Sequence, residues 1–156
     1  MIFKHLFKVA LNWYFNEEIE VGQKKRYTKS HIVSIEGKPD IHISAAKAFK
    51  GDPVLYNPED LLLSSLVSCH MMSYLYCCAQ NNIKVIDYTD CAEAVLEVND
   101  SGGGRVVKVV LNPVVTIANS GQIALALSLH KKANELCFIA NSCNFLVLHH
   151  PTCNVK

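Results

Sequence analysis

The chain opens on a two-residue alternation. Phe7, Val9, Leu11 and Trp13 share one parity, with Lys8, Ala10 and Asn12 between them, the pattern of a half-buried strand. Residues 26–36 repeat it, with Tyr27, Val33 and Ile35 on one parity and Glu36-Gly37 starting a turn. Residues 38–56 carry Pro39, Gly51 and Pro53 among small polar residues and predict loop with, at most, a short strand. The period then changes. Asn57 suits a helix cap, Pro58 the first helical position, and Glu59 and Asp60 the positive end of the helix dipole. From Leu61 to Ala79 no residue is formally charged, a run long enough to raise the question of a membrane span. Ser64, Ser65, Ser68, His70 and Ser73 interrupt it, so the expected reading is the central helix of a soluble core.

Asn81-Asn82 end that helix, and Lys84 to Val98 alternates again. Asn99 to Gly104 reads as a turn, and Arg105 to Ile117 returns as the second strand of a hairpin. Pro113 places this strand at an edge or a bulge. Ser120 can cap a second helix, in which Ile123, Leu127, His130, Asn134 and Cys137 follow three- and four-residue spacing. Asn144 to His149 closes the pattern as a short strand. The order β-β(-β)-α-β-β-α-β predicts an α+β fold with two core helices in one domain over residues 1–156.

Composition narrows the class. A net charge of +1 gives no field suited to nucleic acid, and 156 residues are enough for a sizeable core. Only 19% of residues are charged, which points to surface buried in an oligomer. Met1 to Phe15 lacks the apolar run and cleavage site of a secretory signal, so a cytoplasmic setting is expected. There the seven cysteines read as packing residues, metal ligands or redox groups rather than structural bridges. No CxxC pair occurs, and the nearest metal-like group, His149, His150 and Cys153, lacks a partner pair at zinc spacing and reads as a polar terminus. No nucleotide loop, zinc-protease helix or serine elbow is present, and Gly102-Gly103-Gly104 links two strands rather than a strand and a helix.

The thiols remain. Cys77 and Cys78 stand in an apolar stretch and read as packing; Cys91 falls on the polar parity of its strand; Cys143 and Cys153 have no evident cation. Cys69 and Cys137 each stand on a predicted helix. A working cysteine needs its thiolate, hence a nearby positive group, and Cys69 is about three turns from its helix start, too deep for the dipole. The chain has two arginines, Arg26 and Arg105, and a carboxylate gripping one guanidinium in a fork would complete such a site.

Asn57-Pro58-Glu59-Asp60-Leu61-Leu62, followed by Leu66-Val67-Ser68-Cys69, resembles the OsmC/Ohr family of osmotically inducible and organic hydroperoxide resistance proteins. That family's helix begins Asn-Pro-Glu and carries its reactive cysteine ten residues after the glutamate, as Glu59 and Cys69 do here. A second helix ending in cysteine is similar to Leu129–Cys137, and the likeness extends over roughly residues 5–152.

The resemblance implies two intertwined subunits and a thiol-dependent peroxidase. By it, Cys69 attacks the O–O bond and becomes a sulfenic acid, and Cys137 resolves it as an intramolecular disulfide. Arg26 holds the Cys69 thiolate and polarises the peroxide, with Glu59 orienting the arginine. Organic or fatty-acid hydroperoxides are the implied substrates, and a small dithiol such as dihydrolipoamide the reductant, with no metal or tightly bound cofactor. Two departures stand out. The family's second cysteine often precedes Pro-aromatic-Ser, whereas here Cys137 precedes Phe138-Ile139-Ala140-Asn141-Ser142. Some members carry the arginine in the loop before the helix, where this chain has Lys47 and Lys50. His70 and His130 read as structural or pocket-lining. The rival reading is a hydrophobic-ligand binder or redox sensor on the same fold.

Overall fold

The computed structural model divides the chain into two units, Met1–Leu61 and Leu62–Lys156. It describes residues 2–15, 18–21 and 24–156, with side chains for 2–15 and 27–156. In the first unit β1 (Ala10–Asn12) pairs antiparallel with β4 (His31–Ser34), which pairs with β5 (Ile41–Ile43). The hairpin of β2 (Glu18–Val21) and β3 (Lys24–Tyr27) precedes β4. The strand expected over 26–36 is therefore two strands, broken at 28–30. The opening alternation yields only the three residues of β1, and they are exposed rather than half-buried; Phe7 stays 89% exposed. β1 is an edge strand of a small sheet; Trp13 and Phe15 meet Tyr27 edge-on at 5.9 and 6.1 Å.

Helix α1 (Pro58–Gln80) follows, then β6 (Val85–Asp90), β7 (Glu93–Val98), β8 (Gly104–Leu111), β9 (Pro113–Ile117), α2 (Ile123–Leu136), α3 (Phe138–Asn141), β10 (Leu146–His149) and β11 (Thr152–Val155). The class is α+β, as expected. The runs 84–98 and 105–117 were each expected to be one strand, and each breaks in two. β7 and β8 form the hairpin and join β10 in one sheet, while β6 and β9 pair in another with β11. Asn112 stitches the break: its backbone N–H donates to Asp90 Oδ1 at 2.8 Å and its side-chain amide to the Cys91 carbonyl at 2.9 Å. Pro113 does not mark an edge. It opens β9, the middle strand of its sheet, next to this break.

The polar terminus is also corrected, because Thr152–Val155 adds β11 parallel to β9, and Cys153 packs against the core. β10 likewise runs parallel to β8, and α2 lies within both long crossovers. Two apolar clusters result. Tyr74, Cys77 and Cys78 of α1 pack with Ala126, Leu129 and Ala133 of α2 and with Val115 and Ile117 of β9. Leu66 and Cys69 pack with Val109 and Leu111 of β8 and with Cys137. By length and composition α1 could cross a membrane, but Leu66, Cys69, His70, Tyr74, Cys77 and Cys78 are buried within the fold.

Candidate active site

The site is built on the middle of α1 and the end of α2. The start of α1 is fixed by a reciprocal cap: Asn57 Oδ1 accepts from the Asp60 N–H at 2.9 Å, and Asp60 Oδ2 accepts from the Asn57 N–H and side-chain amide at 3.2 and 2.6 Å. Asn82, in the left-handed region at φ 53°, turns the chain just beyond its C-terminus, where a short polar side chain tolerates that conformation. Cys69 lies mid-helix, only 8% exposed, packed in one cluster with Leu66 and with Val109 and Leu111 of β8.

Cys137 closes α2. Its backbone is extended (φ −72°, ψ 108°), so the helix stops there, and its sulfur accepts from the Ala140 N–H at 3.4 Å as the cap of α3. The two thiols, 68 residues apart in sequence, pack in the same apolar cluster and both are free. Burial pushes the Cys137 thiol up to about 11; the neighbouring Cys69 thiol adds to the rise, and the Ala140 and Ile139 N–H groups oppose it. Cys137 is therefore a protonated thiol at neutral pH.

Beside Cys69 lies a cavity of about 420 Å³ lined by Met72, Ser73, Tyr76, Leu136 and Phe138. Its walls are apolar save for a hydroxyl or two, and its size suits a small organic molecule. Phe138, 81% exposed, is the residue that follows Cys137.

The other expected site residues fall as follows. Glu59 stands on the first turn of α1, ten residues before Cys69. The Arg26 side chain lies outside the described residues, and its backbone is in β3, opposite Ile19. Lys47 and Lys50 are exposed, in the 3-10 turn Lys47–Phe49 and at its left-handed end. Cys77 and Cys78 are buried in the other cluster, with the thiol of each raised by burial, and Cys91 is exposed.

A feature the sequence reading missed lies behind Cys69. His70, His130 and His149 form a stack: His70 and His130 share a hydrogen bond at 3.1 Å (Nε2 to Nδ1), His149 lies on His70 at 4.6 Å, and Tyr74 on His130 at 3.9 Å. Burial lowers His70 to about 3 and His130 to about 4, so both rings are neutral; His149 is lowered for the same reason. Among the described residues, His70 Nδ1, His130 Nε2 and His149 Nε2 are buried without a hydrogen-bond partner. The signal for His149 was its parity, shared with the core residues Phe145 and Val147. Among the described residues no group of three His, Cys, Asp or Glu is placed to hold a metal ion.

The α+β fold thus places two free thiols, one from the middle of α1 and one from the end of α2, in one cluster, with an apolar cavity beside the first. Residues 50–147 match the family model described as OsmC-like protein, and the chain belongs to that family. Its structure is similar to an OsmC-like protein of unknown function from Vibrio cholerae, at 26% identity and TM-score 0.81, over 96% of this chain and 100% of that one. It is also similar to an OsmC-like protein from Mycoplasma pneumoniae (14% identity, TM-score 0.73, 96% and 98% covered). An organic hydroperoxide resistance protein from Elizabethkingia anophelis shares the fold at 18% identity and TM-score 0.67, with 99% and 100% covered. No curated protein matches the chain in sequence.

Proposed function

We propose that the protein is a thiol-dependent peroxidase that reduces organic hydroperoxides. The observation that carries this reading is the packing of Cys69 and Cys137 in one cluster, with Cys69 on the wall of an apolar cavity. In the first step the Cys69 thiolate attacks the peroxide O–O bond, giving Cys69 sulfenic acid and, with one proton, the alcohol. In the second step the Cys137 thiol attacks the sulfenic sulfur; the disulfide forms and water leaves. An external dithiol of the dihydrolipoamide kind then restores both thiols and leaves as its own disulfide. A resolving thiol raised to about 11 stays protonated until the sulfenate is beside it and supplies the proton that the departing hydroxide needs. Arg26, oriented by Glu59, is proposed as the cation that holds Cys69 ionised, with Lys47 and Lys50 as the alternatives.

Membership of a family that includes organic hydroperoxide resistance proteins supports a peroxide-related role. Apolar side chains left in solvent support the expected homodimer: Ile2, Leu6 and Phe7 in the first unit and Phe138 in the second are each at least 80% exposed. A cytoplasmic setting is part of the same proposal, since the cycle needs Cys69 and Cys137 reduced at rest.

The test is turnover of an organic hydroperoxide with a dithiol reductant. Cys69→Ser is expected to abolish it, and full activity in that variant would overturn the reading. The wholly apolar character of most of the cavity wall also favours a second reading, a carrier of a hydrophobic ligand without turnover. Native mass spectrometry separates them: the peroxidase loses two hydrogens at Cys69 and Cys137 on stoichiometric peroxide, whereas the carrier retains a bound molecule and both thiols.

A further inference from the structure

We propose that His70 and His130 are positioning residues for the thiol pair, a directional bolt that sets the register of α1 against α2 so that Cys69 and Cys137 can close a disulfide. The proposal rests on the peroxidase reading for its purpose, though not for its geometry. His70 is the residue after Cys69, and His130 precedes Cys137 by seven positions, two turns along the same face of α2. Cys69 packs in one cluster with Cys137, while Tyr74, further along α1, stacks on His130, further back along α2. The order of contacts reverses, so the helices run antiparallel, and the His70–His130 bond lies within the stretch where they touch.

Disulfide closure tolerates little slip between these helices. The Cα atoms of bonded cysteines lie roughly 4.4–6.8 Å apart, and a shift of one helical turn is about 5.4 Å. Apolar contacts such as Leu129 and Ala133 against Cys77 and Cys78 resist separation but have no preferred direction along the axis. A hydrogen bond between two rings fixed at 3.1 Å does. The arrangement is also a poor one for stability alone. Both rings are essentially fully buried, and each leaves its second nitrogen, His70 Nδ1 and His130 Nε2, without a partner among the described residues. Two apolar side chains of similar volume would leave no polar atom stranded there. What the histidines add is direction, at the step next to Cys69.

The test separates the two thiol steps in the full chain. A stopped reaction with one equivalent of organic hydroperoxide is trapped with a sulfenate-specific dione, and disulfide is followed by peptide mass spectrometry. Closure is also driven by diamide, which oxidises thiols without any peroxide chemistry. His70→Phe and His130→Leu are expected to form Cys69 sulfenate at the wild-type rate but to close the disulfide about 10- to 100-fold more slowly by both routes, the size of effect a misplacement near 1 Å produces. The double variant His70→Gln/His130→Asn places amide groups where Nε2 and Nδ1 now meet, and is expected to recover closure to within about threefold, since the bond rather than the ring is what matters. Wild-type closure by diamide in His70→Phe overturns the proposal, as does a doubly substituted amide variant that folds yet stays as slow as the single ones. A wild-type protein that closes with diamide but makes no sulfenate with peroxide overturns the peroxidase reading and leaves the bolt supported by the diamide arm.

Discussion

At Gly51 the fold has room for a hydrogen and nothing larger. A β-carbon there would lie 1.7 Å from the Ala45 carbonyl oxygen and 2.6 Å from the Ala45 Cα, all backbone atoms that cannot rotate away. The Gly51 N–H donates to the Ala46 carbonyl at 3.2 Å, and the next residue, Asp52, donates its N–H to Ser44 Oγ at 3.0 Å, so both sides of the approach are tied. Gly51→Ala is therefore expected to cost at least about 2 kcal/mol, the range of forced overpacking, read as a fall in the urea midpoint. An unchanged midpoint would show that the 44–52 loop yields freely. The same residue-scale logic separates the thiols. Cys77 and Cys78 are buried no less than Cys69, but they pack in the other cluster, away from the one that holds both Cys69 and Cys137. Burial alone does not make a cysteine reactive; its neighbours do.

Helix α1 was legible because its signals are local. Asn57, Pro58 and Asp60 act within one turn, and the structure returns the cap the sequence predicts. Asn57→Ala is expected to lower stability by about 1 kcal/mol through loss of the acceptor for the Asp60 N–H. Asn57→Asp keeps that acceptor but sets a second carboxylate where the Asn57 amide now donates to Asp60 at 2.6 Å. It is expected to recover little of the loss at neutral pH and more as the solution is acidified, which thermal melts at two pH values would read. The strands were less legible, since their breaks are decided by distant partners. Alternation runs through 91 and 112 without a mark; Asn112 reaching back to Asp90 and Cys91 ends one sheet and begins the other. β11 was hidden because TCNV has little apolar character and gains its place from pairing with β9. The joint packing of Cys69 and Cys137 was hidden for the same reason, 68 residues of chain separating them, and only resemblance connected them beforehand. His149 was visible in principle, as the third member of the parity Phe145, Val147 and His149.

On the scale of the whole chain, the buried titratable groups set a window of stability. His70 and His130 sit near 3 and 4 when folded and at the ordinary value of 6.5 when unfolded, with His149 lowered as well. Between these limits the unfolded chain holds more protons than the folded one, so acid favours unfolding: the stabilisation is complete above about 6.5 and is lost progressively as pH falls. Each histidine contributes a slope of up to about 1.4 kcal/mol per pH unit. Asp90, raised by burial, opposes this lower in the acid range, where its own protonation begins to favour the folded chain. On the alkaline side the sign reverses. The Cys137 thiol at about 11, against an ordinary value of 9, and the buried phenols of Tyr74 and Tyr88, also raised, stay neutral in the fold after their unfolded counterparts have ionised. Stability is then lost as pH rises above about 9. The expected urea midpoint is thus a plateau between roughly pH 6.5 and 9 that falls on both sides, the acid limb through imidazoles and the alkaline limb through thiols and phenols. In the double variant His70→Gln/His130→Asn two of the three imidazoles are gone, and the acid limb is expected to lose more than half its slope while the alkaline limb stays in place. A midpoint that is flat from pH 7 to 5 in the wild-type protein would mean that these rings are not held neutral inside the fold. The stack that packs α1 to α2 would then have to be open to water.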